Sequence, residues 1–266
     1  MTNALASELR IATENGYAWI ELNRPERGNA LSARLVEALL ESVNEQIAER
    51  SVHTIVLCAA GPHFCTGFDL DGLDRSSDGE LLQRFVRIET LLDTIWRAPI
   101  RTIAIAHGRA IGAGADLFVA CDERLLVPGA TLRFPGAGFG LVLGTRRLAE
   151  RVGRSRALRW VSTNSVITAS EAVEARLADT LTAVLPADAA SGTEALALMR
   201  WREACVPPPP AIDRATIAAL KAGSAPGADG GEASRADSDL AALVRSAAKP
   251  GLRERLVAYR DRNTRR

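Results

Sequence analysis

Residues 100–121 read Ile100-Arg-Thr-Ile-Ala-Ile-Ala106, then His107-Gly-Arg-Ala-Ile-Gly-Ala-Gly-Ala-Asp116, then Leu117-Phe-Val-Ala-Cys121. The first piece is a short, nearly continuous apolar run, the mark of a strand covered on both faces. The last is apolar and helix-like, and glycines and small residues join the two. Small residues let a ligand approach the backbone, and a helix start presents free N–H groups to negative charge. A similar order occurs upstream, with the buried strand Thr54-Ile-Val-Leu-Cys-Ala59 followed by the loop His63-Phe-Cys-Thr-Gly-Phe-Asp-Leu70. Two N–H groups, one from each loop, converging on one oxygen would form an oxyanion hole. On spacing alone, two tight turns that need glycine for steric reasons remain the plainer account.

The rest of the chain extends the alternation outward from these segments. Tyr17 to Leu22 alternates faces as a strand does. Leu31, Leu35, Leu39, Val43 and Ile47 recur every four residues, which predicts an amphipathic helix. Leu81 to Trp96 reads as a helix, and Leu125–Val127 with Thr131–Phe134 as two short strands around a Pro-Gly turn. A helix starts near Arg146, and Thr168-Ala-Ser-Glu171 has capping-box spacing. Pro207 to Pro210 breaks the chain. Ala222 to Asp239, rich in Gly, Ala, Ser and Asp, reads as a mobile loop, and Leu252 to Tyr259 as a terminal helix. The expectation is an α/β core over residues 1–204 with a C-terminal helical region over 205–266.

Composition narrows the function classes. The 266 residues include 33 basic and 32 acidic ones, a net charge of +1, which argues against non-specific nucleic-acid binding. No apolar run approaches the ~20 residues of a membrane span. The N-terminal segment shows no charged start followed by an apolar stretch, so a cytoplasmic protein is expected. Cys58, Cys65, Cys121 and Cys205 fall at no metal-like or redox spacing, which fits buried reduced thiols. His63 and His107 have no ligand-spaced partners, so no metal site is expected. Gly136-Ala-Gly-Phe-Gly140 lies mid-chain with no acidic strand end about twenty residues on, which sets a dinucleotide loop aside.

Several blocks taken together carry a family resemblance. Leu22-Asn-Arg-Pro-Glu-Arg-Gly-Asn-Ala-Leu31, Phe64-Cys-Thr-Gly-Phe-Asp-Leu70, His107 to Leu117 with Ala120-Cys-Asp122, Arg147-Leu-Ala-Glu-Arg-Val-Gly153 and Pro250-Gly-Leu-Arg-Glu-Arg-Leu256 follow in order. The chain resembles the crotonase (enoyl-CoA hydratase/isomerase) superfamily along nearly its whole length. The resemblance implies a spiral of repeated ββα units with C-terminal helices, an acyl-CoA thioester substrate, and assembly as a homotrimer or a dimer of trimers. Coenzyme A enters as part of the substrate, with no prosthetic group. Carried over by position, the oxyanion donors are the N–H groups of Phe68 and Ala113. The CoA-binding stretch matches Arg24, Arg27, Ala30 and Leu31, with Thr66 and Leu70.

The chain also departs from the family. Where hydratases of the family place two glutamates around one water, it has Asp116 and Gly136. The aspartate is one methylene shorter, about 1.5 Å less reach, and Gly136 carries no carboxylate. The stretch Ala137–Thr145 is also about three residues shorter than the family's loop. An oxyanion hole with at most one acid/base fits an isomerase-like proton shuttle, an atypical hydratase, a decarboxylation or a C–C cleavage. It also fits an accessory acyl-CoA-binding protein without catalysis. Asp69 is expected to fix its own loop through side-chain-to-backbone bonds.

Overall fold

The computed structural model describes residues 8–182, 204–209, 211–224 and 232–264. Its core elements, in chain order, are β1 (Leu9–Glu14), β2 (Tyr17–Leu22), α1 (Ala33–Ala48), β3 (Thr54–Ala59), α2 (Asp78–Trp96), β4 (Arg101–Ala106), β5 (Arg109–Ile111), α3 (Ala113–Ala120), β6 (Glu123–Leu126), β7 (Thr131–Arg133), α4 (Thr145–Val152), α5 (Arg154–Thr163), β8 (Ile167–Thr168), α6 (Ala169–Glu174) and β9 (Thr180–Leu181). The C-terminal helices are α7 (Arg214–Ser224), α8 (Glu232–Ala247) and α9 (Leu252–Thr264).

Two β layers result. One sheet runs β1-β2-β3-β4-β6-β9, parallel except for the β1–β2 pair. The other runs β5-β7-β8, parallel between β5 and β7 and antiparallel between β7 and β8. Each pass of the chain lays one strand in the large sheet, a shorter extended piece in the second layer, and then a helix. β4, β5 and α3 make one such pass, and β6, β7 and α4 the next. In the β3 pass the second-layer piece shrinks to isolated bridges, Cys65 with Ala110 and Phe68 with Leu31. This is the ββα spiral that the family resemblance implies.

Burial explains why these segments settle as they do. All six residues of β3 and all six of β4 are buried, as expected for parallel strands covered on both faces. The α1 stripe of Leu35, Val36, Leu39, Leu40 and Val43 is buried in the same core. Side chains close the helix starts: Ser32 accepts from Leu35 N–H, and capping boxes join Ser77 to Glu80 and Thr168 to Glu171.

One expectation is corrected. Ala222–Asp239 is not a loop throughout: α7 continues to Ser224, and α8 begins at Glu232, while 225–231 lie outside the described residues. The Ala-rich composition that reads as low in apolar content has high helix propensity. Leu243 and Ala247 bury completely where α8 packs on α2, and Arg146 grips Asp239 at 2.7 Å. The expected boundary at 204/205 adjoins residues 183–203, which lie outside the described residues. No described helix is long and apolar enough to cross a membrane.

Candidate active site

Two backbone segments are pressed together at the second layer. Leu31 N–H donates to Gly67 O (2.7 Å), and Asp69 N–H donates to Leu31 O (3.2 Å). The alternation of an extended chain then turns the N–H of Phe68 away from Leu31. On the other side, Cys65 N–H donates to Arg109 O (3.2 Å) and Ile111 N–H to Cys65 O (2.9 Å). Gly67 sits at φ +93°, where a Cβ would come within 2.5 Å of Ile111 O and 3.5 Å of Ala113 N. A Cβ on Gly114 would collide with the Cys65 carbonyl. Both glycines are therefore demanded by close approach of the loop 65–68 to the start of α3.

Ala113 is the first residue of α3, so its N–H has no acceptor within the helix. Neither the N–H of Phe68 nor that of Ala113 donates to a backbone acceptor among the described residues. Both residues border one cavity of about 100 Å³, with apolar walls from Phe85, Phe134, Leu141, Val161 and Leu256. The Phe68 ring stacks on Phe85 (4.4 Å between centroids, 18° apart), and the Arg84 guanidinium lies 4.0 Å from its centroid. Arg84 also donates to Asp69 O at 2.7 Å, so the loop that carries the Phe68 N–H is held at Gly67 O by Leu31 and at Asp69 O by Arg84.

Asp116 lies one turn past Ala113, on the same side of α3. It is buried, and its Oδ1 has no hydrogen-bond partner among the described residues. The carboxyl rests against the Cα of Gly144, which precedes α4 at φ +63°, and any side chain at 144 would overlap it. Burial, and then the negative charge of Glu89, push the Asp116 carboxyl well above its ordinary range, while Arg147 pulls the other way. The other titratable side chain on the cavity wall is Tyr259 of α9. Gly136 borders the cavity from the 3-10 turn Pro135–Phe139, and contributes no carboxylate there. Cys65, behind the loop, is fully buried with its thiol pushed up to about 12 by desolvation, so it is no nucleophile.

The structure separates the residues that the resemblance assigns to CoA. Thr66 and Leu70 border the cavity and also a more open groove that contains Arg27, Ala30, Asp71 and Arg260. Arg27 is 44% exposed and 2.9 Å from Asp71. Arg24 turns inward: it donates to Ala30 O (2.7 Å) and Asp69 Oδ2 (3.0 Å), with Glu8 at 3.4 Å. Leu31 is buried and acts through its backbone. Asp69 accepts from Asp71 N–H at 3.0 Å and so ties its own loop as the sequence suggests. Sequence reading gave no site role to Phe85, Leu256, Tyr259 and Arg260, which reach the site from α2 and α9; of these, Leu256 falls in a block that carries the resemblance. No group of three His, Cys, Asp or Glu side chains suited to a metal occurs among the described residues.

The spiral architecture is that of the crotonase superfamily. A family model described as enoyl-CoA hydratase/isomerase matches residues 12–223, and the chain belongs to that family. A probable enoyl-CoA hydratase of Mycobacterium leprae is 36% identical over 185 residues, 67% of this chain and 73% of that protein. Mouse ethylmalonyl-CoA decarboxylase is 31% identical over 207 residues, 76% of this chain and 62% of that protein. A crystal structure described as an enoyl-CoA hydratase/isomerase from Bordetella parapertussis superposes with a TM-score of 0.81 at 39% identity. It covers 95% of this chain and 98% of that one.

Proposed function

We propose that the protein acts on an acyl-CoA thioester through an enolate held between the N–H groups of Phe68 and Ala113, with Asp116 as its one acid/base. The observation that carries this reading is the buried, unpartnered Oδ1 of Asp116 in the same cavity as those two residues. A thioester oxygen placed between the N–H groups would be stabilised most when it becomes negative, as the enolate forms. The acyl chain fits the apolar walls, and the groove beside Arg27 and Arg260 suits the phosphates of CoA.

Hydration by two carboxylates around one water is disfavoured because Gly136 supplies none. A single acid/base instead suits an isomerase-like shuttle, which takes a proton from one carbon and returns it to another, or an atypical hydration. A second reading, decarboxylation, is favoured by two observations. Burial holds Asp116 towards its protonated form, and an acid is what an enolate needs once CO₂ has left. The mouse relative bears the name of such an enzyme. The two readings have opposite pH signs. A shuttle needs the carboxylate and gains rate as pH rises through the raised Asp116 value, whereas a decarboxylase needs the acid and loses rate there.

The deciding experiment is α-proton exchange of a short acyl-CoA or 3-enoyl-CoA in D₂O, followed by NMR. Wild type and Asp116→Asn are compared. Exchange that disappears in the variant supports Asp116 as the base, and exchange that survives moves the base elsewhere. Thioester binding without exchange, together with CO₂ release from a malonyl-type thioester, supports the second reading. Binding with neither reaction points to an accessory acyl-CoA-binding protein. A cytoplasmic homotrimer or dimer of trimers belongs to the same proposal.

A further inference from the structure

A buried group of charges lies where α2, α4 and α8 meet, and two of its members, Glu89 and Arg147, act on Asp116. Arg147, the third residue of α4, is 1% exposed and grips Glu89 of α2, itself 3% exposed. The contact is a fork, with Nη2 donating to Oε1 at 2.5 Å and Nη1 to Oε2 at 3.2 Å. The same Nη2 lies 3.5 Å from Asp93 of α2 and 3.8 Å from Asp239 of α8. Arg146 holds Asp239 at 2.7 Å and Glu150 at 2.5 Å. Three helices thus meet on one buried cation.

Asp116 is coupled to this group by the backbone of α4. Its carboxyl presses on Gly144, the residue that opens α4, and Arg147 follows three positions later, on the same face of that turn. Among the described residues, two polar atoms here are buried without partners, Oδ1 of Asp116 and Nε of Arg147. The charged groups of this cluster are Glu89 and Asp93 from α2, Arg146 and Arg147 from α4, and Asp239 from α8; Tyr259 of α9 shares the cavity with Asp116. Of these, Glu89 and Arg147 act on it with opposite signs. Burial lifts the Glu89 carboxyl, and the fork with Arg147 opposes that lift without cancelling it.

A buried ion pair is weak evidence for stability, because taking both charges out of water offsets most of their attraction. Its position on the helix whose opening residue meets the Asp116 carboxyl is the informative feature. We propose that Glu89 and Arg147 are a positioning pair that sets the proton affinity of Asp116, and that α8 contributes to the setting through Asp239. The functional meaning rests on the reading of Asp116 as the acid/base. The electrostatic claim does not, because it can be read from the carboxyl itself.

The test is a titration of the Asp116 carboxyl by ¹³C NMR in the full chain, with the resonance assigned by its loss in Asp116→Asn. Glu89→Gln removes the nearest negative partner and leaves Arg147 to the more distant Asp93 and Asp239, so the Asp116 midpoint should fall by about one pH unit or more. Asp239→Asn, at the solvent edge of the group, should move it the same way by less while leaving the fold intact. Arg147→Lys keeps the charge and should leave the midpoint near wild type, whereas the double variant Glu89→Gln/Arg147→Met should bring it back toward wild type. Midpoints that stay in place in both Glu89→Gln and Asp239→Asn, or that rise, overturn the proposal. Should Glu89→Gln fail to fold, Asp239→Asn decides alone. Failure of the enolate reading shows separately, as α-proton exchange that is absent or survives in Asp116→Asn while these midpoints still move.

Discussion

Ala113 allows the proposed oxyanion hole to be tested apart from the fold. Proline is accepted at the first helical position, where the N–H has no acceptor within the helix. Ala113→Pro should therefore leave the melting temperature within a few degrees of wild type and reduce α-proton exchange by about 10²–10³-fold. An unchanged rate would remove Ala113 from the hole. Asp116 gives a second prediction, this time on stability. Its folded-state carboxyl is raised, so the folded protein holds that proton more tightly than the unfolded chain, whose value is near 3.8. The stabilisation is complete below that value and is lost as pH rises through the folded one. Asp116→Asn, neutral at every pH, should match wild type in acid and melt higher once the wild-type carboxyl is forced to ionise. A melting difference that stays constant from about pH 4 to pH 9 would contradict this sign.

The terminal helix α9 closes the cavity, with Leu256 and Tyr259 in its wall. It is fastened to the turn Pro135–Phe139: Arg255 Nε donates to Phe139 O at 3.0 Å, and the Phe139 and Tyr259 rings meet at 5.0 Å. Tyr259→Ala should weaken binding of a short acyl-CoA by about tenfold, ~1.4 kcal/mol, as apolar contact is lost. Calorimetric titration would measure it, and an unchanged affinity would mean that α9 is not a wall of the acyl site. These elements also mark what could be read in advance. The two loops that carry the proposed donors were legible because glycines mark them in two contiguous motifs, each following a strand with a plain apolar signature. The walls were not, because Phe85 and Tyr259 belong to helices whose apolar stripes serve the core as well as the cavity. The helix α8 was hidden by composition: Ala, Ser and Asp supply propensity without the large apolar residues that mark a stripe.

Across the molecule, alternation of strand and helix gave the α/β class, while the spiral itself rests on pairings that no local pattern encodes. The bridges Cys65–Ala110 and Leu31–Phe68 join residues far apart in sequence and are what bring the two loops together. The same limit applies to assembly. Leu158 (61%) on α5, Val166 (60%) just before β8 and Leu220 (59%) on α7 are exposed. Single exposed apolar residues are ordinary on a monomer, so these three alone decide nothing. With the proposed trimer, Leu158 and Val166 nominate the α5–β8 corner as a covered face. Light scattering at micromolar concentration should give the mass of three or six chains. Leu158→Lys combined with Val166→Lys should shift that mass toward one chain, because a stable interface buries about 800 Å² per partner and tolerates unpaired charge poorly at its centre. A monomeric wild type would remove the trimer. An unaltered oligomer in the double variant would place the interface on another face.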